Sequence, residues 1–245
     1  MENKTIIKMI YIQSNSEKNL PHHFDAACAM YGAIESGHDF KLVSYEEVKS
    51  GKFDNLIRSR LFVGSVEFMN EVFSRIGLPN VRVPKNSNRD HIVMKLGDVK
   101  KRVKEEGETW FIKPFQIKLF TGFVLDQMVY SSIANIPDDL EVMVYKPFDK
   151  QIESEWRCYI NMGKIKDIRN YSGDPFITPS EDYIKSVIKD NSDFPVSYTI
   201  DIGILEGGEN VVVEFNDMWA IGNYGMQNDT YLSLLRQRYF EIIKQ

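Results

Sequence analysis

Asp201, Glu214 and Asn216 are residues whose types and spacing suit metal chemistry. They lie in the segment from Tyr198 to Asp217, two period-2 stretches joined at Gly207-Gly208, which is the pattern of a β-hairpin. A two-residue turn pairing Glu206 with Glu209 sets Leu205 against Asn210, Gly203 against Val212 and Asp201 against Glu214, with Asn216 on the same face. Directly opposed side chains have Cβ atoms about 4.5–5.5 Å apart, where two bare carboxylates repel. A hard divalent cation between them removes the repulsion. Two carboxylates and an amide oxygen suit magnesium, which fills the rest of its shell with water and phosphate oxygens. An arginine meeting the pair, a shared proton or a solvated face are the structural alternatives, and a one-residue slip in the turn would take Asp201 off the face.

Cations stand at two further places. Lys113 ends the apolar run that starts at Thr109, and Pro114 after it stops further pairing, so the ammonium is delivered to a sheet edge. The loop behind it carries Lys118, Thr121 and Gly122, a second point charge and a glycine that lets the backbone approach an anion. Lysine in this setting suits a nucleotide phosphate, although strand-ending lysines also serve as solvated gatekeepers. In Glu155-Trp156-Arg157-Cys158-Tyr159-Ile160 the residues Trp156, Cys158 and Ile160 alternate toward the core, which puts Glu155, Arg157 and Tyr159 on the opposite face. An arginine among aromatics there suits a phosphate or a carboxylate, while Glu155 could simply pair with a surface lysine.

The elements that position these residues change character along the chain. Residues up to about Pro84 alternate strand and helix: a buried strand from Thr5 to Ile12, a helix presenting Phe24, Ala27, Met30, Tyr31 and Ile34, strands at Phe40–Val43 and Leu61–Val63, and a helix capped by Ser65 that Gly77 and Pro79 stop. Alternation of this kind predicts parallel pairing in a small α/β unit. Pro84 to Asn88 reads as a linker, and Arg89 to Gly107 as a lysine-rich helix. Strands then dominate: Thr109–Lys113, Glu141–Lys146, Trp156–Ile160, Lys164–Arg169, Tyr198–Leu205 and Asn210–Phe215. Thr178-Pro179-Ser180-Glu181 reads as a capping box opening a helix with Tyr183, Ile184, Val187 and Ile188 on one face. A last amphipathic helix, from Asp229 to Ile243, carries Arg236 and Arg238. Tyr171, Asp174 and Asn170 on one side, and Asn223, Tyr224 and Gly225 on the other, sit in loops that could line a substrate pocket, though their composition is also that of turns.

The chain has 245 residues, 43% of them apolar, and carries 30 Lys plus Arg against 35 Asp plus Glu. That length builds one large domain or two small ones. The net charge of -5 and a pI near 5.5 argue against a phosphate backbone as the main partner and leave only a local basic groove open to nucleic acid. Two distant cysteines, Cys28 and Cys158, make neither a disulfide framework nor a zinc site. A reducing, cytoplasmic setting follows as the expectation, with no membrane segment, because the first apolar run is short and broken by Lys8. His22, His23, His38 and His91 lack zinc-site spacing.

Taken in order, Ile112-Lys113-Pro114, Phe120-Thr121-Gly122, the hinge-like strand Val142 to Pro147, Glu155-x-Arg157 and Val213-Glu214-Phe215-Asn216-Asp217 resemble the ATP-grasp superfamily, most of all its small phage and bacterial members. The resemblance covers about residues 85–245. It implies a mixed α/β (α+β) chain of the ATP-grasp fold: an α/β domain over 1–84, a phosphate-loop subdomain over about 85–145 and a metal-binding subdomain over about 146–245. It further implies that Lys113 and Lys118 contact the phosphates of ATP, with Thr121, Gly122 and Glu155 also on the nucleotide side. The backbone at Tyr145 and Lys146 would read the adenine edge, and Asp201, Glu214 and Asn216 would hold Mg2+. Arg157, with Lys118, would face the transferred group. The phosphate loop has one glycine where many relatives have several, and the ribose is left to Asp149 or Glu153. The activity implied is an ADP-forming ligase that activates a carboxylate as an acyl phosphate and joins it to an amine, on a small molecule, a peptide or a macromolecule. A phosphotransferase and a non-catalytic nucleotide-binding module are the alternatives.

Overall fold

The computed structural model describes residues 9–17, 19–78, 81, 89–115 and 119–244. Residues 5–8 of the first strand, Pro79, the linker at 84–88 and Lys118 lie outside them. By its contacts the chain divides into one unit made of residues 1–86 with 152–245 and a second of residues 87–151.

In the first unit, strands β1 (Met9–Gln13), β2 (Asp39–Val43) and β3 (Leu61–Val63) form a parallel sheet in the order β2-β1-β3. The parallel pairing expected from strand–helix alternation is present. Helix α1 (Phe24–Glu35) follows β1, the short helices α2 (Tyr45–Lys49) and α3 (Asp54–Ile57) follow β2, and α4 (Val66–Ser74) starts at Ser65, whose side chain accepts from the Phe68 amide. Helix α1 buries a different face from the one its large residues predict. Ala26, Cys28, Ala29, Gly32 and Ala33 are buried, whereas Phe24 is 70% exposed and Tyr31 and Ile34 are also exposed. The reason is close packing: a Cβ at Gly32 would collide with the carbonyl of Asn228 at the start of the last helix, α7 (Asn228–Ile242). Only small side chains allow that approach.

The second sheet of this unit is antiparallel in the order β11-β10-β8-β9, from β8 (Ile152–Asn161), β9 (Lys164–Gly173), β10 (Ser197–Leu205) and β11 (Asn210–Asp217). On one face Cys158, Ile160, Ile200, Ile202, Val212 and Phe215 pack with Ile184 and Val187 of α6 (Glu181–Asp190). That helix is capped by Ser180, two residues later than the expected Thr178, because Ser180 accepts from the Tyr183 amide and Pro179 precedes the cap. On the other face Tyr159 joins a core shared by β1, β3, α1, α4 and α7, together with Met218, Trp219 and Met226 from the loop after β11.

The second unit is an antiparallel sheet in the order β4-β7-β5-β6, from β4 (His91–Lys95), β5 (Trp110–Pro114), β6 (Phe123–Leu125) and β7 (Glu141–Tyr145). Arg89 to Gly107 is therefore not one helix. His91-Ile-Val-Met-Lys95 has strand composition and pairs with β7, and α5 (Leu96–Lys101) continues into one π turn that Gly107 ends at φ +70°. Leu96, Val99, Val103, Ile112, Leu125, Ile133, Val142 and Val144 form its core. Among the described residues no helix is long and apolar enough to cross a membrane.

Candidate functional site

The β10–β11 hairpin does set Asp201 opposite Glu214, by a longer route than the expected turn. Gly207 and Gly208 both take positive φ, +91° and +86°, and the turn widens so that Ile204 pairs with Asn210 and Gly203 with Val211. That places the hairpin end one residue off the expected register. A bulge at Val213 then adds one residue to β11 and returns Glu214 to Asp201. The same bulge breaks the period of two, so that Val212 and Phe215, three apart, both reach the apolar core.

Strand β8 lies on the other side of β10 and pairs Arg157 with Asp201. The guanidinium forks onto the carboxylate, Nε donating to Oδ1 at 2.8 Å and Nη2 to Oδ2 at 2.6 Å. The two side chains are 8% and 2% exposed. This corrects the picture of two bare carboxylates: an arginine meets Asp201. Asn216 lies between the acids, its amide nitrogen donating to Glu214 Oε1 at 2.9 Å and approaching Asp201 Oδ2 at 3.4 Å. Rotating that amide would present its oxygen to a cation instead. Burial pushes the Asp201 carboxyl up to about 6, against the pull of Arg157 and with the help of Glu214 and Glu155. It is still an anion at neutral pH. Burial also disfavours the Arg157 cation, but the charge and hydrogen bonds of Asp201 outweigh that and raise its pKa.

A second bulge, at Tyr171 on β9, aims that ring over the same face. Its hydroxyl donates to Glu155 Oε2 at 2.8 Å, and burial, ahead of Asp201 and Glu155, raises its pKa. Tyr171 stacks on Tyr224 with centroids 5.4 Å apart. The Arg157 guanidinium carbon lies 4.9 Å from the Tyr224 ring and 5.8 Å from the Tyr171 ring. Glu155, Arg157, Asp201, Glu214, Asn216, Tyr171 and Tyr224 thus form one polar and aromatic cluster. Asp217 is not part of it: its carboxylate turns to buried Arg238 of α7, which donates to both oxygens.

The second unit holds the other candidates. Lys113 stands next to last in β5, half-buried, with Nζ 5.5 Å from the Tyr145 ring. Gly122 packs against that strand: a Cβ there would come within 2.6 Å of the Phe111 ring and 3.2 Å of Lys113 Cβ, so this packing already requires glycine. Thr121 is exposed beside it, and Lys118 is outside the described residues. Tyr145 ends β7, and the Lys146 carbonyl accepts from Arg89 Nη1 at 3.0 Å. Arg89, to which the sequence gives no signal, lies beside them. Its guanidinium carbon lies 4.0 Å from the Phe148 ring, 5.0 Å from Tyr145 and 5.6 Å from Phe111. The helix reading of its segment hid the strand that follows it, and single-sequence spacing offers no other signal.

Among the described residues no group of three or more His, Cys, Asp or Glu could hold a metal ion. A magnesium ion bound through one or two carboxylates needs no such group, since phosphates and water supply the other ligands. Asp201 and Glu214, each within hydrogen-bond reach of the Asn216 amide between them, fit that requirement.

A family model for an ATP-grasp domain, the second family of its clade, matches residues 87–234. No curated protein sequence matches the chain. Among solved structures, D-alanine–D-alanine ligase from Bacillus anthracis complexed with ATP is similar at a TM-score of 0.54 and 12% identity, over 96% of this chain and 97% of that one. The ATP-grasp ligase PsnB, complexed with precursor peptide PsnA2 and AMPPNP, gives 0.51 and 9%, over 95% and 97%. N5-carboxyaminoimidazole synthetase from Staphylococcus aureus complexed with ADP gives 0.51 and 11%, over 94% and 77%. At these identities the likeness is one of fold.

Proposed function

The chain belongs to this ATP-grasp domain family, and on that premise we propose that it is an ATP- and magnesium-dependent ligase joining a carboxylate to an amine. The observation that carries the reading is the cluster in which buried Arg157 and Asp201 meet half-buried Glu214 and Asn216 on one sheet face. Such a cluster holds charge in place before reaction, which is what phosphoryl chemistry asks of a protein. On this reading residues 1–84 are the α/β domain that precedes the ATP-grasp domain at 85–245.

In the reaction a carboxylate oxygen of the substrate takes the γ-phosphoryl group of ATP, giving an acyl phosphate and ADP. The amine then attacks the acyl carbon, phosphate leaves and the amine loses a proton. Lys113 binds the phosphates, with Lys118, Thr121 and Gly122 beside them, and the backbone at Tyr145 and Lys146 takes the adenine edge. Asp201, Glu214 and Asn216 would hold magnesium, which neutralises charge on the phosphates when bound. Arg157 keeps two donors on Asp201 and offers Nη1 to the transferred group or to the acyl oxygen. Glu155, held by the Tyr171 hydroxyl, stands on the same face to accept a donor from nucleotide or amine. The two cysteines are free and buried, in keeping with a reducing, cytoplasmic setting.

The solved relatives named above include one bound to a precursor peptide, so the substrates to test include peptides as well as small amines. The experiment incubates the protein with ATP, magnesium and a fractionated cell extract and follows ADP and product mass. A ligase yields ADP together with a product whose mass is the sum of two extract components less water. A product heavier by one phosphoryl group would make it a phosphotransferase, and no ADP at all would leave a binding module.

A further inference from the structure

The ligase reading leaves two features without work: the N-terminal helix, and the exposed ring of Tyr224 beside Arg157. We propose that Asp25, in the first turn of α1, is a positioning residue for the site, and that it acts by holding the loop 221–225 so that Tyr224 covers Arg157. The proposal rests on the ligase reading and gives the N-terminal segment a part in it.

The loop is fixed at its Ile221, Gly222 and Asn223 carbonyls and at its Asn223 and Gly225 amides. The Asn223 amide donates to Asp25 Oδ1 at 2.8 Å, a contact between residues 198 apart in sequence. The Tyr159 hydroxyl reaches the carbonyls of Gly222 and Asn223 at 2.6 and 2.8 Å, and the Tyr231 hydroxyl donates to the Ile221 carbonyl at 2.5 Å. Asn223 closes the turn, Oδ1 accepting from the Gly225 amide at 2.7 Å and Nδ2 donating to the Met226 carbonyl at 3.1 Å.

Within this frame Tyr224 has φ +48° and Gly225 φ +86°. A tyrosine takes the left-handed region only where its surroundings impose it. Here the result is a ring 47% exposed, 4.9 Å from the Arg157 guanidinium and stacked on Tyr171. Tyr159 is two residues from Arg157 on the same strand face, so the strand that carries the arginine also holds the loop that carries its aromatic cover. Of the loop's amides, that of Asn223 is the one held from α1.

Helix α1 meets this segment a second time two turns on. Gly32 packs on the Asn228 carbonyl, and Asn228 Nδ2 donates to Glu35 Oε1 at 3.2 Å. The small buried face of α1 thereby gains a reason beyond filling the core: it brings Asp25 within reach of Asn223. His23 does not compete for Asp25. Its Nδ1 accepts from the Ala26 amide, so that nitrogen carries no proton toward the carboxylate 3.8 Å away.

The test uses the full chain with Asp25→Ala, Asp25→Asn and Tyr224→Ala. Asparagine keeps an oxygen acceptor at the same position and alanine does not, so a role through the hydrogen bond is rescued by the first and lost in the second. Amide exchange of the 221–225 peptide, read by mass spectrometry, should quicken about tenfold or more in Asp25→Ala, with β10 unchanged, and return to the wild-type rate in Asp25→Asn. ADP release with ATP, magnesium and the active extract fraction should fall about tenfold in Asp25→Ala with the KM for ATP within twofold, and recover in Asp25→Asn. Tyr224→Ala leaves the Asp25 bond in place and should show the same loss of turnover. Unchanged loop exchange in Asp25→Ala overturns the proposal, as does full turnover in Tyr224→Ala, which decides the matter even where Asp25→Ala does not fold. A wild-type chain that forms no ADP with any fraction counts against the ligase reading itself, and the exchange rates still decide whether Asp25 holds the loop.

Discussion

Two buried arginines make the same forked contact with an aspartate of the β10–β11 hairpin, and their surroundings differ. Arg238 of α7 donates through Nε and Nη2 to Asp217, both at 2.7 Å, and through Nη1 to Glu241 at 2.8 Å. Each edge of that guanidinium has a carboxylate, and Glu241 in turn accepts from the Val196 amide. Arg157 donates through the same two nitrogens to Asp201, but among the described residues Nη1 makes no hydrogen bond. Its neighbours are two stacked tyrosines and the face that holds Glu155, Glu214 and Asn216. The first pair is complete within the protein and ties helix to sheet. The second leaves one donor over among the described residues, on the face that carries two further acids, and the ligase reading assigns that donor to the transferred group; burial alone does not tell the two apart.

Removing either arginine should have the largest effect. Arg238→Ala and Arg157→Ala each strand a buried aspartate, and each should lower unfolding stability by about 3–5 kcal/mol in urea titrations. Arg238→Ala should keep wild-type turnover at temperatures where it is folded, while Arg157→Ala should have none. Equal turnover in the two folded variants would erase the distinction. Arg157→Lys sharpens it: the charge stays and the planar fork is lost, so ADP release should fall about a hundredfold, near 2.7 kcal/mol, with ATP affinity largely kept. Equal losses of both would make Arg157 a general binding or structural residue.

In the other unit, Lys113→Ala should weaken ATP binding by about ten- to a hundredfold in calorimetry, the range of one charge-assisted contact. Its melting temperature should stay close to wild type, since a half-buried strand-end lysine carries little of the core. Unchanged affinity would remove Lys113 from the nucleotide site.

Glu214→Gln should abolish magnesium-dependent turnover and change stability by less than about 1 kcal/mol. Two bare opposed carboxylates would make this substitution stabilising, but the Arg157–Asp201 fork already offsets that repulsion. A variant with full activity would make the acids structural. The smallest effect expected is on pH. Because the Asp201 carboxyl is raised to about 6, the folded chain holds that proton more tightly than the unfolded one. Its contribution to stability is therefore full below about pH 4, the ordinary carboxyl value, and is lost as pH rises through about 6. A carbon NMR titration of the Asp201 carboxyl should show a midpoint near 6, and turnover should decline on the acid side of it. A midpoint below 4 would mean that Arg157 outweighs burial.

How much of this was legible in the sequence follows from how local each signal is. The Ser65 cap, the helix with Ile184 and Val187, and the hairpin around Gly207-Gly208 are written within a few residues and are present. The opposition of Asp201 and Glu214 is also present, but the turn is wider than expected and a bulge at Val213 restores the register; bulges leave little trace in a single sequence. On α1 the large apolar residues predict one buried face, whereas the approach to α7 selects alanine and glycine for another. Over 89–107 the lysine-rich run masks a five-residue strand at a sheet edge, whose partner lies about fifty residues on. Arg157 with Asp201, Asp25 with Asn223 and Arg89 with Lys146 depend on which strands and segments become neighbours. No spacing along one chain encodes that.

The measurement that bears most directly on the ligase reading is trapping of the activated carboxylate. Wild-type protein is incubated with ATP, magnesium, hydroxylamine and a carboxylate-containing metabolite or peptide fraction, and hydroxamate and ADP are quantified together. An acyl phosphate captured by hydroxylamine gives the two in equal amounts, only when the carboxylate fraction is present, and gives neither in Arg157→Lys beyond about a hundredth of the wild-type rate. ADP accompanied by a stable phosphorylated product and no hydroxamate would contradict the account.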